Sequence, residues 1–164
     1  MITDPHTPST ADTSLVALDG VTHTYGGPIV LDHVHLAVEP GSFVGIIGPS
    51  GSGKTTMLRL LLGKLRPTVG QVRRRPDLRM SYVPQIETVD WNFPITVAEV
   101  VLMASTGSWR RPWATADERR SVATVLEQLG LGGLEHRHIR DLSGGQQQRV
   151  FLARALHRRP DLLV

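Results

Sequence analysis

Phe43-Val44-Gly45-Ile46-Ile47 runs into Gly48-Pro49-Ser50-Gly51-Ser52-Gly53-Lys54-Thr55, and Thr56-Met57-Leu58-Arg59-Leu60-Leu61-Leu62 follows. The first stretch is a short continuous apolar run, the pattern of a strand buried on both faces. The middle stretch matches G-x-x-x-x-G-K-[ST] at every fixed position. The last predicts a helix over 55–64, with Met57, Leu58, Leu61 and Leu62 on its apolar stripe. Gly63 would stop it, and Pro67 bars its continuation. A strand, a glycine loop and a helix in this order form a cradle for phosphate. Glycines let backbone N–H groups turn inward, and the helix aims its positive end at the anion. Lys54 supplies a mobile cation and Thr55 a hydroxyl for Mg²⁺. The composition adds weight, because lysine occurs only at 54 and 64, against 16 arginines.

On the N-terminal side, Val34, Leu36 and Val38 alternate with His33, His35 and Ala37, which predicts strands within 15–38. Met1 to Ser14 is polar and Pro-containing and reads as a disordered tail, without the positive start and apolar stretch of a secretory signal. On the C-terminal side, Arg73-Arg74-Arg75 reads as a solvated hairpin tip and Met80–Val83 as a strand ended by Pro84. Thr96-Val97-Ala98-Glu99, Thr115-Ala116-Asp117-Glu118 and Ser143-Gly144-Gly145-Gln146 each fit a capping box. Val97, Val100, Val101 and Ala104 follow the first at helical spacing, and Val122, Val125, Leu126 and Leu129 follow the second. Gly130 should stop the second helix, and the third should run to about Arg158. Asp161-Leu162-Leu163-Val164 begins a strand. The expected class is therefore α/β with a helical insertion. The divisions are 1–14 as tail, 15–89 as β subdomain and phosphate-loop part of the core, 90–158 as helical subdomain, and 159–164 as the start of a strand.

The 164 residues carry a net charge of +3, too small an excess to require nucleic acid as a partner. With no cysteine, disulfides, thiolate zinc sites and a Cys nucleophile are excluded. No apolar run reaches the roughly 18 residues of a membrane span, so a cytoplasmic protein is expected, with any membrane role coming through a partner. Two close histidine pairs, His33/His35 and His136/His138, lack an evident third ligand and read as solvated surface residues.

Ser143, Gly144, Gly145 and Gln146 pose a question that capping does not answer. Two glycines in a first helical turn are poor helix formers, a cost unless something must approach the backbone closely. A bare helix N-terminus with a serine hydroxyl is a second anion site. Leu142-Ser143-Gly144-Gly145-Gln146-Gln147-Gln148-Arg149, together with the phosphate loop, resembles the ATP-binding cassette (ABC) ATPases from about residue 15 onward, with every motif in family order. The 89 residues between Lys54 and Ser143 leave room for a compact helical subdomain, unlike the long coiled coil of chromosome-maintenance ATPases.

The resemblance implies a P-loop NTPase core with an N-terminal β subdomain and a helical signature subdomain. It implies ATP and Mg²⁺ at Gly48, Pro49, Ser50, Gly51, Ser52, Gly53, Lys54, Thr55 and Thr56. By the same resemblance Tyr25 stacks on adenine, and Gln85 meets Mg²⁺ and the attacking water as the catalytic glutamine. Ser143, Gly144, Gly145 and Gln146 complete the ATP site of a second subunit in a head-to-tail dimer. Val89-Asp90-Trp91-Asn92-Phe93-Pro94, Thr96-Val97 and Val100–Met103 resemble the ATPase subunits of manganese/zinc/iron-type importers, with iron-chelate or cobalamin importers as the alternative. Trp91 and Phe93 fall where that family docks its membrane permease, and a periplasmic or surface metal-binding protein would act indirectly. The family's Walker B aspartate and catalytic glutamate would follow Val164. The expectation is that these 164 residues bind nucleotide without hydrolysing it, and a non-hydrolysing nucleotide-binding remnant is the other alternative.

Overall fold

The computed structural model describes residues 13–84, 94–104 and 114–164. The chain divides at Leu78/Arg79 into two compact units. In the first, strands β1 (Val16–Thr24), β2 (Ile29–Val38) and β3 (Val69–Arg74) form an antiparallel sheet in the order β2-β1-β3. Thr13 donates to Glu39 and Ser14 is buried, so these two residues of the expected tail are tied to the sheet. Val34 and Leu36 are half-buried and Val38 is buried, while His33, His35 and Ala37 face solvent, as the period of two predicts.

The β1–β3 ladder slips between Asp19 and Thr22, where Gly20 and Gly70 both have positive φ. A Cβ on Gly70 would overlap the backbone carbonyls of Asp19 and Gly20, so the bulge closes only around glycine.

Helix α1 (Lys54–Leu61) ends at Leu62, and Gly63 takes the left-handed conformation expected of a helix stop. Its buried residues are Thr56, Leu60 and Leu61. The apolar stripe is therefore rotated from the expected Met57, Leu58, Leu61 and Leu62, because Thr56 rather than Met57 faces inward and spends its hydroxyl on Tyr25.

Two expectations fail here. The apolar run 43–47 forms no ladder, and Phe43 and Ile47 are 98% and 97% exposed. A strand is buried only when neighbours flank it, and no described strand pairs with this one. The arginine run is not a hairpin tip. Arg73 and Arg74 lie in β3, Arg73 pairs with Asp19 at 3.3 Å, and Arg74 donates to the carbonyls of Leu60 and Leu61 (3.0 Å to Leu61). Arg74 thus satisfies the Leu61 carbonyl, adds a second donor to the Leu60 carbonyl that Gly63 N–H already bonds, and sets a cation at the negative pole of α1.

The second unit holds β4 (Met80–Ser81), α2 (Val97–Leu102), α3 (Ala116–Gln128), a 3-10 turn (Ile139–Asp141), α4 (Gly144–His157) and β5 (Leu162–Leu163). β4 and β5 pair in parallel, and backbone bonds continue the ladder through Val83 and Val164. Asp161 secures the start of the pair by accepting from the Arg79 backbone and guanidinium. The three helices enclose one apolar core, including Val97, Val100, Val101, Val122, Val125, Leu126, Val150 and Phe151. The expected stripes of α2 and α3 are the ones buried, and Gly130 (φ 67°) follows α3 as expected. The start of α2 is fully accounted for: Val97 N–H donates to Arg137 and Ala98 N–H to Glu135, both at 3.0 Å, and Glu99 N–H donates to the Thr96 hydroxyl.

His157, half-buried on α4, has its pKa below the ordinary 6.5, mainly because burial disfavours the imidazolium; Glu118 opposes the shift and Arg159 adds to it. A lowered histidine pKa contributes stability that is present above the unfolded value and lost as pH falls through the folded one. Chemical denaturation between pH 7 and pH 5 should show falling stability, with a flatter slope in His157→Gln; equal slopes would exclude the residue. Arg74→Ala should cost roughly 1–3 kcal/mol by leaving two helix-end carbonyls without their charged donor, and an unchanged melting curve would refute the capping role.

Candidate nucleotide-binding site

The phosphate loop is shaped by two left-handed glycines, Gly51 (φ 79°) and Gly53 (φ 86°), the second serving as N-cap of α1. A Cβ on Gly53 would stand 2.8 Å from Leu31 Cδ2 and 2.9 Å from the Val30 carbonyl, so the loop rests directly on β2. Lys54 folds back over the loop, its ammonium donating to the carbonyls of Gly48 (2.7 Å) and Pro49 (2.6 Å), with Ser52 Oγ at 3.5 Å. The cation therefore closes the ring of backbone it is expected to serve. Gly48 is tight for a different reason, since a Cβ there would meet Ser52 Oγ at 2.7 Å.

The four α-helices among the described residues begin in two ways. In α2 the Thr96 box places Glu99 in the first turn, and Asp117 and Glu118 occupy the first turn of α3. Thr96 holds Glu99 ionised, its side-chain and backbone hydrogen bonds lowering the carboxyl pKa. These helices carry their own negative charge at the positive pole. α1 and α4 have no acidic residue there. Gly53 gives α1 no side-chain cap, and among the described residues no acceptor takes the N–H groups of Lys54, Thr55 or Thr56. α4 has its Ser143/Gln146 capping box, but among the described residues a Cβ on Gly144 or Gly145 would meet nothing within 4 Å. The described residues thus place no steric demand for glycine at either position.

Tyr25 lies just past β1 and is 57% exposed, and its hydroxyl shares a 3.2 Å hydrogen bond with Thr56 Oγ1 in the first turn of α1. The expected adenine platform and the phosphate loop therefore meet within one unit. Thr55, the expected Mg²⁺ ligand, is exposed at the mouth of the loop. Gln85, Trp91 and Phe93 lie outside the described residues, as do tail residues 1–12. His33 and His35 are exposed, each beside one aspartate, and among the described residues no group of three potential ligands could hold a metal ion.

Sequence reasoning gave no role to His23, two residues before Tyr25 near the end of β1. Nor did it see that Gln147 donates to the Ile139 carbonyl, or that Arg149 bridges the carbonyls of Gly145 and Leu129. The polar run after the signature glycines therefore fastens α4 to its surroundings.

The ABC transporter family profile matches residues 31–164. The zinc import ATP-binding protein ZnuC of Pseudomonas syringae pv. syringae (strain B728a) is 42% identical over 151 residues, 92% of this chain and 54% of that protein. A Chlamydia pneumoniae protein, named as a metal transport system ATP-binding protein, is 41% identical over 147 residues, 84% and 56% of the two chains. Among solved structures, a metal-chelate type ABC transporter in an inward-facing conformation matches with a TM-score of 0.81 at 26% identity, over 92% of this chain and 58% of that one. A dimeric bacterial ABC transporter cassette matches at 0.69 with 32% identity, over 90% and 72%. This chain spans about half the length of the curated relatives it matches. The glycine loop closed by Lys54, the signature turn at the head of α4 and these similarities lead to one conclusion: the chain belongs to the ABC transporter family and has the fold of its ATPase cassette.

Proposed function

We propose that the chain is the nucleotide-binding part of an ABC importer ATPase for zinc or a related metal such as manganese or iron. The observation that carries the reading is the pair of helix N-termini without carboxylates, one at the phosphate loop and one at the signature. Each presents backbone N–H groups and a positive pole to an anion from outside the chain. In this reading Gly48–Thr56 hold the phosphates of ATP, Thr55 and Gln85 attend Mg²⁺, and Tyr25 stacks on adenine. The residues fit the metal nucleotide, because the Thr55 hydroxyl is accessible and adjoins the only lysine of the loop. Bound Mg²⁺ would neutralise phosphate charge.

Ser143, Gly144, Gly145 and Gln146 would close on the terminal phosphate held by a second subunit. The open space that the described residues leave above the two glycines supports this, because it is room for a partner to approach. ATP binding would close the head-to-tail pair and hydrolysis reopen it. A membrane permease would receive that motion on the cytoplasmic side, and a surface or periplasmic metal-binding protein would deliver the cargo. The names of the relatives from Pseudomonas and Chlamydia support metal as that cargo.

Titration calorimetry with MgATP should give saturable binding that Lys54→Ala weakens by at least tenfold, since the change removes both the phosphate cation and the loop's own closure. Equal affinity in the variant would overturn the assignment. Gly145→Ala separates signature function from stability. Alanine at a helical position with free space should match or raise the melting temperature, by up to about 1 kcal/mol in stability. In the paired ATPase subunits it should nevertheless abolish ATP-driven association, measured by light scattering. Normal association would exclude close approach at this turn.

A further inference from the structure

His23 presents an anomaly in the first unit. The residue is buried (7% exposed), and among the described residues neither Nδ1 nor Nε2 has a hydrogen-bond partner. Buried polar atoms without partners are rare in folded proteins and call for a reason. The imidazole stands perpendicular to the Tyr25 ring, with centroids 4.7 Å apart and an interplanar angle of 89°. Edge-to-face pairs of this kind fix the tilt of both rings. On the strand ladder His23 lies opposite Leu31, the residue whose Cδ2 bounds the space beside Gly53. Tyr25 is therefore held at two points: its hydroxyl by Thr56 on α1, and its ring by His23 against the wall that supports the phosphate loop.

We propose that His23 is a positioning residue for nucleotide recognition: it braces the Tyr25 ring so that the exposed ring is presented to the purine at a fixed distance from the phosphate loop. The brace acts through ring shape and perpendicular packing. It concerns the base and leaves the phosphates to the loop. A stacking ring that must first be ordered loses affinity to that ordering, and a braced one does not. This inference rests on the reading of the chain as an ATP-binding protein.

The test uses MgATP and magnesium tripolyphosphate as calorimetric probes on the 164-residue chain. His23→Ala should weaken ATP about tenfold, within the range of losing one base–aromatic stack, and leave tripolyphosphate unchanged. In the Tyr25→Ala background the same change should cost no further ATP affinity, because His23 acts through Tyr25. His23→Phe should restore ATP affinity to within twofold and raise the melting temperature, since it keeps the ring and removes two unsatisfied polar atoms. Parallel loss of both ligands in His23→Ala, additive losses with Tyr25→Ala, or failure of the phenylalanine variant to restore ATP binding would each overturn the proposal. Saturable ATP binding in the parent chain that His23→Ala leaves intact sinks this inference alone. A parent chain that binds neither probe sinks the ATP reading and the brace with it.

Discussion

The backbone N–H groups at the start of an α-helix have no partner within the helix, and each must find one elsewhere. This constraint sorts the helices of the chain. α2 meets it completely, with one donor on the Thr96 hydroxyl and two on the 135–137 backbone. α3 adds Asp117 and Glu118 beside its threonine cap. α1 and α4 leave their positive poles without acidic side chains, and the motifs with glycines and a lysine or a serine lie at these two ends. Where local structure needs no anion from outside, the sequence has supplied a carboxylate. Where the proposed function binds one, the carboxylate is absent.

The same constraint explains what could be read from the sequence. The three capping boxes were legible because each is a local contract between residues three apart, and all three are formed. The apolar stripes of α2 and α3 were legible because their period matches the helix. The phosphate loop was legible because left-handed φ at Gly51 and Gly53 admits few alternatives to glycine.

What was not legible depends on partners distant in sequence. Phe43–Ile47 has the composition of a buried strand, but composition expresses a preference for an environment and cannot supply the neighbouring strands. Arg74 looked like part of a solvated charge run because its acceptors, the carbonyls of Leu60 and Leu61, belong to the end of another element. His23 carried no signal of a role in the sequence, and only the fold places its ring against Tyr25. The roles of Gln147 and Arg149 are of the same kind, since both donate to backbone carbonyls, which carry no side-chain signature.

The bonds from Val97 and Ala98 to the backbone of Arg137 and Glu135 have a further consequence. Ile139 returns a third bond to Ile95 across the same junction, and its own carbonyl accepts from Gln147 of α4. The segment entering α2 and the segment leading to the signature therefore cannot open independently, because releasing either one strands backbone donors of the other. In terms of hydrogen exchange, residues 95–98 and 135–139 form a single cooperative unit, protected together and exposed together. A displacement applied at the start of α2 is thus carried to the 135–139 segment by backbone hydrogen bonds, and from there to α4 through the Gln147 side chain.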